Sequence, residues 1–185
     1  MDMVVVVEIP QGSRNKYKMD HGLGRIRLDR MLFTSTRYPA DYGYIEGTLG
    51  LDGEALDALV LGGDPTFPGV LIRCRALGMF RMNDERGEDD KVLCIPATDP
   101  RMGHLRELDD VLDYDLREIQ HFFEIYKDLE PGKSFDGASS WLGRARAELE
   151  VTAARARTAN GSGWDSAPAE TVVHAARGLG DGAAR

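Results

Sequence analysis

GMFRMNDERGEDDKVLCIP, residues 78–96, sets two short apolar segments, 79–82 and 92–95, on either side of a polar stretch at 83–91. That spacing predicts two strands joined by a hairpin loop. The same reading extends outward. Residues 4–9 (VVVVEI) are β-branched, 25–28 alternate, and 55–61 and 70–76 are apolar runs broken by Gly and Pro. Short strands with Gly-rich turns favour a small barrel or a sandwich.

The second half turns helical. Leu112, Leu116, Ile119, Phe123 and Tyr126 recur at helical steps and predict an amphipathic helix that ends at Pro131-Gly132. Trp141, Ala145 and Leu149 predict another helix near 138–150. The chain then divides into a domain at 1–150 and a tail at 151–185. The tail holds ten Ala and five Gly and few large apolar residues, too little to offset its ordering entropy. It is expected to be largely disordered, with 151–159 extending the preceding helix and Trp164 as its one large aromatic. There is no internal repeat.

Composition narrows the function. Of 185 residues, 42% are apolar and 29% charged, an ordinary globular balance. A net charge of -8 argues against a nucleic-acid binder, which needs a basic footprint. No apolar run approaches the ~20 residues that span a bilayer, and 4–7 lacks the flanks of a signal peptide. No nucleic-acid or membrane partner is expected, and the cytoplasm is the default compartment. Two cysteines, Cys74 and Cys94, are too few for a disulfide framework and read as buried free thiols.

The chemistry lies in acids crowded into turns beside strands. DGEALD at 52–57 carries three, and Asp84, Glu85, Glu88, Asp89 and Asp90 crowd the second loop. Acids held that close suit a hard cation such as Mg²⁺. Lys91 follows the second cluster, Lys16 and Lys18 share a face of any strand through them, and Tyr126-Lys127 closes the helix. Acids for metals plus Lys, Arg and Tyr for anionic oxygens is what metal-assisted phosphoryl chemistry requires.

DGEALDALVL at 52–61 resembles the Asp-x-Asp-x-x-Asp signature of the family I soluble inorganic pyrophosphatases, particularly those of actinobacteria. Further blocks resemble that family in order: VEIPQGSRNKYK at 7–18, LDRMLFTSTRYPADYGYIEGTLG at 28–50, FPGVLIRCRALGMFRMNDERGEDDKVLCIP at 67–96 and HFFEIYKDLEPGK at 121–133. The resemblance implies a mainly β fold with α, an OB-like five-stranded β-barrel with flanking helices. It implies hydrolysis of inorganic pyrophosphate to two phosphates by direct attack of a metal-activated water, with several Mg²⁺ per subunit, in a homohexamer. Carried over by position, Asp52, Asp57 and Asp89 correspond to ligands of the tightest metal, and Asp84 and Asp89 to ligands of a metal that arrives with substrate. Glu8 corresponds to a further metal-reaching acid. Lys16, Arg30, Lys91, Tyr126 and Lys127 correspond to phosphate-holding groups, and Tyr42 to a tyrosine of the active-site wall.

Two departures bear on activity. Glu54 stands where the family has the Asp that contacts the nucleophilic water, and the extra methylene moves the carboxylate by ~1–1.5 Å. Lys18 stands where the family has Glu. These two changes carry the alternative reading, a diverged binding or regulatory relative with weak or no activity. Ala55, where Pro is common in the family, is a lesser change that loosens the turn. Asp64, in GGDPTFPG at 62–69, is expected in an exposed turn. His21, His104, His121 and His174 have no metal-ligand spacing. Gly132-Lys133-Ser134 lacks the first Gly of a P-loop.

Overall fold

The computed structural model describes residues 1–84, 87–133 and 135–160. Its strands are β1 (Asp2–Ile9), β2 (Asn15–Asp20), β3 (Arg25–Met31), β4 (Asp41–Ile45), β5 (Asp57–Val60), β6 (Leu71–Asp84), β7 (Gly87–Glu88), β8 (Lys91–Pro96) and β9 (Phe135–Gly143). Its α-helices are α1 (Asp113–Ile125) and α2 (Arg144–Asn160).

Five strands run in the order β1-β4-β5-β8-β6, and β6 pairs back onto β1. That closure makes a barrel and removes the exposed sheet edges of an open sandwich. Strands β5 and β8 are parallel, so both begin at one end of the barrel, where β6, antiparallel to β8, finishes. The β2–β3 hairpin is a separate two-stranded sheet beside β1.

Alternation along the strands divides the apolar residues between two clusters. Leu59, Leu93 and Ile95 join Ile119, Phe122, Phe123 and Tyr126 of the α1 segment. Ala58, Val60, Val92 and Cys94 join Ala147, Val151 and Ala154 of α2. Both cysteines are buried free thiols, as expected.

Four segments differ from the sequence reading, and one of them is the end of α1, which stops at Ile125 rather than at Pro131-Gly132. Residues 71–76 and 79–82 belong to one strand, β6, whose register with β8 shifts between Ala76 and Gly78. The helix predicted near 138–150 is part strand. Residues 135–143 pair with β6, and Trp141 sits opposite Phe80 with ring centroids 5.0 Å apart. Tertiary pairing overrides the helical spacing there, and α2 starts at Arg144 with Leu149 exposed. At the start of α1, Leu112 is the cap residue and is exposed, so the buried stripe begins a turn later. Helix α2 runs past residue 150 to Asn160, with Val151 and Ala154 buried. The expectations for the rest of the tail, Trp164 and His174 included, lie outside the described residues.

Candidate active site

The parallel register sets Asp57, first residue of β5, beside Lys91, first residue of β8. Lys91 is 1% exposed. Its Nζ donates to Asp57 Oδ2 at 3.2 Å and to Asp89 Oδ1 at 2.5 Å, and it lies over the Tyr42 and Phe123 rings. Burial opposes its charge, but Asp89 and Asp57 outweigh that and hold the ammonium above its ordinary pKa. Burial raises the pKa of Asp57. Lys91 opposes that rise, Asp89 adds to it, and the Tyr42 hydroxyl opposes it by donating to Asp57 Oδ2.

The signature turn is built by the backbone. Gly53 has φ +84°, a conformation that favours glycine. Glu54 N–H donates to Asp52 Oδ1 at 3.1 Å, and Gly50 N–H to the Glu54 carbonyl at 2.6 Å. Asp52 and Asp57 are thereby held at the two ends of one short loop. Asp89 is fixed by its own N–H, which donates to the Met82 carbonyl.

Cations face these acids from the hairpin. Lys16 pairs in register with Arg30 across β2 and β3. Burial first, then the Arg30 charge, lowers the Lys16 pKa. Arg30 is held by Glu130, with Nη2 to Oε2 at 2.7 Å. Lys16, Lys18, Arg30, Tyr42, Asp52, Glu54, Asp57, Asp89, Tyr126 and Lys127 together line one cavity of about 280 Å³. Lys91 lies beneath it. Glu8 lines an adjoining cavity of about 170 Å³ with Lys18, Glu54 and Asp57. Burial raises the Glu8 pKa to about 7, against the Met19 N–H that donates to Oε1. Asp84 closes β6, its backbone opposite Gly87.

Of the site residues singled out from sequence, Glu8 lines only the smaller cavity, Lys91 lines neither but bonds Asp57 and Asp89, Asp84 is placed by backbone alone, and the rest line the larger one. Sequence reasoning missed Glu130, whose signal was its place in the 121–133 block, and the cavity-lining Arg27 and Asp29; Glu88, counted in the second acid loop, lines the cavity too. It also missed Asp41, which is buried and accepts from Gln11 N–H at 2.8 Å and Thr66 Oγ1 at 2.6 Å. Asp64 is exposed, as expected. His21 packs edge-on to Tyr44, and His104 and His121 are exposed.

The donor set suits a hard cation. Its acids are oxygen donors, and two of them, Glu8 and Asp57, are held above their ordinary pKa by burial and by neighbouring acid charge. Asp52, Asp57 and Asp89 share one cavity wall system with fixed cations opposite. A closed barrel with such an end defines a protein that handles a small, multiply charged oxyanion. The family described as inorganic pyrophosphatase matches residues 5–159. An inorganic pyrophosphatase from Streptomyces coelicolor is 66% identical over 151 residues, covering 82% of this chain and 92% of that protein. One from Corynebacterium glutamicum is 53% identical over 148 residues, 80% of this chain and 92% of its own length. The inorganic pyrophosphatase structure from Thermus thermophilus is similar at a TM-score of 0.82 and 45% identity, over 84% of this chain and 90% of that one. The chain belongs to the inorganic pyrophosphatase family.

Proposed function

We propose that this chain hydrolyses inorganic pyrophosphate to two phosphates with Mg²⁺, as a homohexamer. The observation that carries the reading is the convergence of Asp52, Asp57 and Asp89 with Lys16, Arg30 and Lys127 on one cavity. Asp52, Asp57, Asp84 and Asp89 would hold the metals, with Glu8 reaching them from the adjoining cavity. Bound Mg²⁺ would screen the diphosphate charge and acidify a water. Glu54 would orient the attacking water and accept its proton. Lys16, Arg30, Tyr126 and Lys127 bind phosphate oxygens. Lys91 holds Asp57 and Asp89 in place through its hydrogen bonds, and Tyr42 orients Asp57 through its hydroxyl.

The binding-only reading is not favoured, since close relatives bear the enzyme's name and Glu54 remains on the cavity wall. Phe67, Leu71, Leu112 and Tyr114 are exposed on the single chain, apolar surface that assembly would cover. Among the described residues no helix is long and apolar enough to cross a membrane.

The test is phosphate release from pyrophosphate with Mg²⁺ and with EDTA. Release should require Mg²⁺, and Asp57→Ala should abolish it. Near-normal turnover in that variant would overturn the ligand assignment. Light scattering tests the hexamer.

A further inference from the structure

The two departures from the family signature meet each other. Lys18 Nζ donates to Glu54 Oε1 at 2.7 Å, across 36 residues of sequence. Both side chains line the 280 Å³ cavity, and both also line the 170 Å³ cavity that holds Glu8 and Asp57. Their side chains are 40% and 45% exposed, so the pair contributes little to stability. Its effect is on charge and position.

Six acids and five bases are assigned to the site, counting Lys18, which leaves it near -1; an acid at position 18 would leave it near -3. A site that negative must gather divalent cations before it can accept an anionic substrate. Lys18 supplies fixed positive charge at that rim instead. Reach matters as well. The extra methylene of Glu54 is worth ~1.5 Å, and without it the carboxylate would stand outside hydrogen-bond range of Lys18 unless the backbone moved.

We propose that Lys18 and Glu54 act as one positioning unit: the exchange of an acid for Lys18 supplies the two charges of one outer divalent cation, and the ammonium holds the Glu54 carboxylate. The enzyme then works with one bound cation fewer than the family pattern at these positions requires. The inference rests on the diphosphatase reading.

The test counts metal. Mn²⁺ is titrated by equilibrium dialysis into the full chain in the presence of methylene diphosphonate, a non-hydrolysable diphosphate. Lys18→Glu should bind one more Mn²⁺ per subunit than the wild type. Glu54→Asp alone should leave the count unchanged and lower kcat by up to about 10²-fold, the cost of a misplacement of about 1 Å. The double variant should bind the extra ion and recover kcat, a non-additive cycle. Equal counts in wild type and Lys18→Glu would overturn the proposal, even if the wild type hydrolyses pyrophosphate. An added ion in a protein whose wild type releases no phosphate would leave the charge replacement standing and remove the diphosphatase reading. Should Lys18→Glu unfold by circular dichroism, Lys18→Gln replaces it. The half-saturating Mg²⁺ concentration should rise severalfold, and an unchanged value would overturn the proposal.

Discussion

Glu8 is an acid in a β-branched strand, and the fold leaves it 8% exposed. Burial carries its pKa from 4.5 to about 7. The folded, metal-free protein therefore binds more protons than the unfolded chain between those values, and stability falls as pH rises through that window. The stabilising contribution is complete below about 4.5 and is lost above about 7. Its size is about 3 kcal/mol as an upper figure. Urea unfolding in EDTA should show lower stability at pH 7.5 than at pH 5. Glu8→Gln should flatten that slope, and a slope as steep in the variant would place its source elsewhere. The site residues were legible from sequence because several blocks resemble one family in order; an acidic turn by itself reads as a solvated loop. The partner of each was not legible. The Lys18–Glu54 and Arg30–Glu130 pairs span 36 and 100 residues, and only the fold brings them together.

At the scale of elements, register carries the site. Asp57 and Lys91 meet because β5 and β8 are parallel and start level, and Lys16 meets Arg30 because β2 folds back on β3. The short strands around 4–9 and 92–95 were readable from β-branched and apolar runs. Strand β4 was not, because Asp41 and Gly43 interrupt the apolar residues of DYGYI; its partners β1 and β5 make it a strand. Strand β9 was read as helix because Trp141, Ala145 and Leu149 are four apart, a spacing that says nothing of the β6 edge on which Trp141 pairs. Within β4, Gly43 allows close passage of β1: a Cβ there would lie 1.9 Å from the Val6 carbonyl oxygen and 2.9 Å from Val7 Cα. Both are backbone atoms, which cannot turn aside. Gly43→Ala is expected to force the β1–β4 ladder apart next to Tyr42, lowering Tm and activity together. Unchanged thermal unfolding would show that the two strands separate without cost.

Across the whole molecule, the acid-bearing loop is tied to the last helix. Leu49 N–H donates to the Ala154 carbonyl at 3.0 Å, and Arg157 Nε donates to the Leu49 carbonyl at 2.7 Å while its Nη2 pairs with Glu150. Leu49 stands three residues before Asp52, so α2 braces the turn on which Asp52, Glu54 and Asp57 sit. Composition placed a boundary at 150, where large apolar residues thin out. It could not show that the small side chains of Ala147, Val151 and Ala154 form a buried stripe against the barrel. Two truncations separate these views. Ending the chain after residue 160 keeps every one of those contacts and should leave Tm and kcat near those of the full chain. Ending it after residue 150 removes Val151, whose burial alone is worth ~1.5–3 kcal/mol, and both hydrogen bonds to Leu49. That shorter chain should unfold at lower temperature and also need more Mg²⁺ for half-maximal rate, because its loop acids are no longer braced. If the cut at 150 lowers Tm but leaves the Mg²⁺ requirement unchanged, α2 stabilises the barrel without positioning the site. If it changes neither, the stripe and the Leu49 bonds contribute nothing that the rest of the barrel does not already supply.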